Sequence, residues 1–77
     1  MITLPNTPEN CYVKEVFDHL IANFQDKPFG YDDLPGSDRS AKSGALVILK
    51  QLGLRDNAGF KTFVLTSAAK GNSIRIS

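Results

Sequence analysis

Residues Asp38 to Leu54 read DRSAKSGALVILKQLGL. Ser37 or Asp38 begins a helix there, because a short polar side chain at that position accepts from the unpaired amides of the first turn. Gly53 ends it, since glycine takes the left-handed backbone needed just past a helix. At about 100° per residue, Ala41, Ala45, Ile48, Leu49 and Leu52 share one inward stripe, with Gly44 at its edge. Small residues at 41, 44 and 45 let a neighbouring helix approach closely. On the opposite side Arg39, Ser43 and Lys50 fall along one line, with Lys42 beside the first turn. Leu46 and Val47 fall near that polar side, which leaves two apolar residues outside the expected core.

Upstream, a second amphipathic helix is the clearest element. Thr7 caps it, Pro8 fits the first position where no amide donor is needed, and Glu9 complements the positive end of the dipole. Val13, Val16, Phe17, Leu20, Ile21 and Phe24 recur at steps of three and four, which makes a core face, while Cys11 and His19 project from the other side. The helix stops near Gln25 and Asp26, because Pro28 disfavours helix at Lys27. Phe29-Gly30-Tyr31 reads as a short extended piece that places aromatic rings on the core. Asp32 or Asp33 then caps a brief helical turn over Leu34, ended by Pro35 and Gly36.

Downstream, the period changes. Leu54 to Gly59 reads as a connector with a turn at Asn57 to Gly59, and Phe60 to Thr66 as a strand rich in aromatic and β-branched residues. Ser67 to Asn72 reads as a reversal, and Ser73 to Ser77 as a second strand with Ile74 and Ile76 on one face. The expected result is an antiparallel hairpin with Lys70 at its tip and Lys61 and Arg75 on its outer face.

Composition narrows the functional classes. The chain has 77 residues, 42% of them hydrophobic and 22% charged, which fits one globular domain. No apolar run approaches the roughly 18 residues of a membrane span, and MITLPNTPEN lacks the pattern of a signal peptide, so a cytoplasmic protein with no membrane partner is expected. One cysteine excludes an internal disulfide framework, and one histidine leaves no conventional zinc site. The net charge of +1 conceals a division. Residues 1–36 carry two lysines against six carboxylates, net −4, whereas residues 37–77 carry seven cations against two carboxylates, net +5. That asymmetry points the second half toward a polyanion.

Taken in order, helix, short strand, short turn-helix, longer helix and hairpin resemble the winged helix-turn-helix family of small bacterial or phage DNA-binding regulators. Leu49-Lys50-Gln51-Leu52-Gly53-Leu54 is similar to the end of the recognition helix in such regulators, and Phe63-Val64-Leu65-Thr66 followed by Gly71 is similar to their strand and wing. The resemblance covers about residues 10 to 77. It implies an α+β domain over 1–77, with three helices packed against a small antiparallel wing, a short third strand near 28–31 and an N-terminal arm over 1–7. It also implies Arg39, Ser40, Lys42 and Ser43 for the major groove and Lys70 for phosphate or the minor groove. The second helix, barely more than one turn before Pro35-Gly36, departs from the family's two or three turns.

Function follows as an expectation. Double-stranded DNA is the expected partner, met by Arg39, Ser40, Lys42, Ser43, Lys50, Lys61, Lys70 and Arg75, with backbone amides at the helix start also free for phosphate. Dimerisation through the first helix or the N-terminal arm is compatible with this. No enzyme, cofactor or metal is expected. Ser67-Ala68-Ala69-Lys70 matches the Ser-x-x-Lys pattern of penicillin-interacting enzymes, yet no second catalytic group accompanies it. The competing expectation is an adaptor or inhibitor of phage or mobile-element origin that uses the same fold to bind protein, with Leu46 and Val47 outside the core.

Overall fold

A computed structural model describes residues 1–25, 27–57 and 63–77, with Asp56 and Asn57 by backbone alone. Strand β1 (Ile2–Leu4) opens the chain and helix α1 (Pro8–Asn23) follows. Thr7 accepts from the Asn10 amide at 3.1 Å and Pro8 occupies the first turn, as the capping chemistry requires. Val13, Val16, Phe17 and Leu20 are buried on one face, with Ile21 and Phe24 packed at its margin.

After α1 the chain passes through Phe29, whose amide donates to the Phe63 carbonyl and whose carbonyl accepts from the Phe63 amide, both at 2.8 Å. A single 3-10 turn over Tyr31–Asp33 comes next. Asp33 Oδ2 accepts from the Gly30 amide at 2.9 Å, and Leu34 is buried just beyond. Gly36, at φ +92°, then leads the chain past Tyr12 toward helix α2 (Arg39–Gln51). At the far end of α2, Gly53 adopts φ +75°, Leu54 N–H donates to Leu49 O at 2.9 Å and Gly53 N–H donates to Lys50 O at 3.0 Å. That paired closure satisfies carbonyls the helix would otherwise leave open.

The strand plan departs from expectation. Strand β2 (Arg55–Asn57) lies where a connector was expected, and it pairs antiparallel with β3 (Phe63–Leu65), setting Arg55 opposite Leu65. Arg-Asp-Asn has little intrinsic strand preference, so this element exists because a partner pairs with it. The expected reversal over 67–72 is a turn of helix, α3 (Ser67–Lys70), in which Thr66 Oγ1 accepts from Ala69 N at 3.2 Å. A threonine cap followed by two alanines favours a helical turn, and the chain leaves it without folding back along β3. Strand β4 (Ile74–Ile76) therefore pairs not with β3 but with β1, in parallel: Ile2 faces Ile74, Thr3 faces Arg75 and Leu4 faces Ile76; residues 58–62 of the expected turn and strand lie outside the described residues. The hairpin of 60–66 with 73–77 is thus corrected, and the N-terminal arm is built into a sheet.

The result is a small α+β domain that has, among the described residues, three helices and two strand pairs. The main interface is α1 on α2, while β4 lies against α1 and both β2 and the 3-10 turn touch α2. Among the described residues, no helix is long and apolar enough to cross a membrane.

Helix α2 is turned relative to its expected setting. Its buried residues are Lys42, Ala45, Leu46 and Leu49, and Ala41, Ile48 and Leu52 are only partly covered. The centre of the buried arc has moved by about 65° from the stripe expected at about 100° per residue. Leu46, expected outside the core, is 2% exposed, while Val47 is 54% exposed. The physical cause is that α2 meets β2 and the 3-10 turn as well as α1, so its buried arc extends past the side facing α1. Gly44 stands on the open side, and a Cβ built there meets nothing within 4 Å. Gly44→Ala is therefore expected to stabilise the fold by about 0.5–1 kcal/mol through helix propensity, read as a higher urea midpoint. An unchanged or lower midpoint would count against this packing.

Candidate nucleic-acid interface

The polar line of α2 stands at the surface. Arg39, Ser43 and Lys50 are all exposed, and the helical period sets them along one side. Tyr31, from the 3-10 turn, props the start of that line: its hydroxyl is 3.1 Å from Ser43 Oγ, and the Arg39 guanidinium lies 5.9 Å from its ring centre. Tyr31 is in turn set edge-on to Phe63, ring centres 6.0 Å apart at 87°. Arg55 lies over Phe63 at 3.8 Å from the ring centre. A cation and a hydroxyl on α2 are thereby referenced to strand β3 through two aromatic rings. Tyr31 is a site residue that sequence reasoning assigned only to the core, and its one visible signal was its place in the Phe29-Gly30-Tyr31 extended piece.

The other expected contacts are scattered by the fold. Lys42 is 7% exposed, because the turn of α2 carries its side chain into the buried arc. Among the described residues its ammonium has neither hydrogen bond nor ion pair, and its aliphatic stem lies on the same helical face as Leu46. It is not a groove-facing cation. Ser40 is exposed but lies about 80° around α2 from the Arg39–Ser43–Lys50 line, on the side of α1. Lys70 ends α3 at the surface instead of a hairpin tip, and Arg75 is exposed on β4 on the face opposite Ile74 and Ile76. Lys61 lies outside the described residues. Two elements connect near the end of α2, where Thr66 Oγ1 donates to the Gly53 carbonyl at 2.8 Å, tying the start of α3 to the close of α2.

The start of α2 is less open to anions than the sequence suggests. Asp38 Oδ1 accepts from Ser40 N at 2.9 Å and Ala41 N at 3.4 Å. Two of the amides expected for phosphate already hold a carboxylate of the chain, whose charge opposes a second anion there.

A second concavity lies between α1 and α2. It has a volume of about 320 Å³ and is lined by Pro8, Tyr12 and Val13 from α1 and by Ala41, Gly44, Ala45 and Ile48 from α2, with Glu9 and Ser40 at its rim. The Tyr12 hydroxyl donates to the Pro35 carbonyl at 2.6 Å. Burial, then the carboxylates of Glu15 and Asp38, push the Tyr12 phenol above its ordinary pKa. This groove is apolar with one carboxylate, Glu9, at its rim, whereas the Arg39–Ser43–Lys50 line is basic, so the two sides of α2 differ in the chemistry they offer.

Compared with protein-family models, curated proteins and solved structures, the chain matches none.

Proposed function

We propose that the chain is a small DNA-binding transcriptional regulator of winged-helix type, with the Arg39–Ser43–Lys50 line of α2 as its principal contact. The observation that carries this reading is that line: two cations and a hydroxyl on one exposed helical side, with the arginine and serine braced by Tyr31. The order of elements supports it too, since α1, the Phe29 extended piece, the 3-10 turn, α2 and the β2–β3 pair follow one another as a winged helix would, and Phe29 meets Phe63 of β3 in a single isolated bridge. The single 3-10 turn before α2 departs from the two or three helical turns usual in that family. Arg39 has the fork geometry to pair with a guanine edge, and Lys50 suits a phosphate.

Titration of a mixed-sequence duplex by fluorescence anisotropy, at two salt concentrations, tests this. Affinity is expected to fall steeply with salt, Lys50→Ala to flatten the log-log slope by about 0.9, and Arg39→Ala to weaken binding by about 1–3 kcal/mol. Lys42→Ala is the contrasting variant, expected to alter stability more than DNA affinity. Absence of binding at low salt would sink the proposal.

One observation favours a second reading. Val47 is exposed beside the apolar α1–α2 groove, which suits a protein-binding adaptor better than a polyelectrolyte partner.

A further inference from the structure

We propose that Tyr31 is a positioning residue for base readout: it holds the Arg39 guanidinium and the Ser43 hydroxyl so that α2 selects a guanine-containing sequence over other duplexes. The inference rests on the DNA-binding reading and supplies the sequence chemistry which that reading leaves open.

The sequence sets a cation and a hydroxyl four residues apart on α2, and the fold brings one aromatic side chain against both. The Tyr31 hydroxyl is 3.1 Å from Ser43 Oγ, and the Arg39 guanidinium lies over the Tyr31 ring at 5.9 Å from its centre. Lys50, further along the same side, rests on no ring among the described residues. Tyr31 is itself anchored. Its ring stands edge-on to buried Phe63, its carbonyl accepts from the Leu34 amide at 3.2 Å, and the Asp33 carboxylate closes the turn on the Gly30 amide. A half-buried side chain held at both ends is a fixed reference for the two exposed residues that it touches.

Both contacts restrain their partners and leave them able to bind. Among the described residues Arg39 makes no hydrogen bond or ion pair, so the ring limits its rotamers while its N–H donors all stay available. A guanidinium ordered in advance loses less entropy on pairing, and its fork matches the two acceptors on the major-groove edge of guanine. The two hydroxyls share one hydrogen bond, which uses one of their two protons and leaves the other O–H as a donor at a set place. Four residues advance a helix by about 6 Å and base pairs are about 3.4 Å apart, so that donor falls within about two base pairs of the guanine. Neither contact alters the number of cations facing the duplex. Tyr31 therefore governs which sequence is preferred and leaves the salt-dependent attraction to Arg39 and Lys50.

Selection from a random duplex library, followed by anisotropy titration of the selected duplex and a scrambled one, tests this. The selected site is expected to contain a guanine whose replacement by adenine weakens binding at least about fivefold. Tyr31→Leu should lower the ratio of selected to scrambled affinity at least about threefold, with an unchanged salt slope on the scrambled duplex. A loss of fold would weaken both duplexes alike. Tyr31→Phe, which keeps the ring, should retain the guanine preference but alter the preference beside it, as Ser43→Ala should, with no further change in the double variant. Absence of binding at low salt overturns the DNA-binding reading and this inference together. Binding without a preferred sequence, or a folded Tyr31→Leu protein that keeps the full ratio, overturns this inference alone. Where circular dichroism shows Tyr31→Leu unfolded, Tyr31→Phe decides: an unaltered preference beside the guanine overturns the inference.

Discussion

Leu46→Asp is expected to leave the chain unfolded at 25 °C, whereas Val47→Asp one residue later leaves it folded. The two positions are both apolar and adjacent, but Leu46 is 2% exposed and Val47 is 54% exposed. A carboxylate at position 46 loses its water with only the Lys42 ammonium, one turn earlier on the same face, to offset the loss, and the packing of a leucine in the interior of α2 goes with it. Even the milder Leu46→Ala should cost about 2–5 kcal/mol. A domain of this length holds roughly 4–12 kcal/mol in all, so the charged variant exceeds a large part of that margin. Val47→Asp removes no buried contact and should shift stability by less than about 0.5 kcal/mol. Urea unfolding followed by circular dichroism decides between these outcomes. Equal effects at the two positions would mean that α2 is not turned as described.

Phe29→Ala is expected to be nearly as severe, with a loss of about 3–5 kcal/mol. Phe29 is 1% exposed, its ring centre is 6.0 Å from that of Phe63 and 6.4 Å from that of Phe24, and its backbone pairs with Phe63 through two hydrogen bonds. Removing the ring opens a void between the end of α1 and β3. It also frees Phe63, against which Tyr31 and Arg55 rest. The loss should therefore reach the surface: on the proposed DNA-binding reading, duplex affinity should fall in Phe29→Leu, which retains bulk and fold, because Arg39 and Ser43 are braced through Tyr31. A loss below about 1 kcal/mol in Phe29→Ala would show that Phe63 is held by other means.

Much of this domain can be read along the chain wherever the deciding chemistry lies within a few residues. Thr7 and Pro8 start α1, its six apolar residues mark the inner face, and Gly53 closes α2 with the bonds a left-handed residue permits. Of the candidate site, Arg39, Ser43 and Lys50 were legible because helical period alone aligns them. Tyr31 was not, because its contacts with Ser43 and Arg39 depend on how the 3-10 turn docks on α2.

The remaining features turn on competition among distant segments. Ile74 and Ile76 alternate correctly for a strand, but alternation is blind to partner and direction, and β4 found β1 across nearly the whole chain. Arg55–Asn57 is a strand only because β3 supplies its hydrogen bonds. The Asp38–Leu54 stretch divides the same way. Its length, cap and glycine stop follow from local backbone chemistry. Its rotation, which buries Lys42 and Leu46 and leaves Val47 and Gly44 facing solvent, follows from α2 touching α1, β2 and the 3-10 turn together. Periodicity ranks the faces of a helix by polarity, but burial goes to whichever face its neighbours surround.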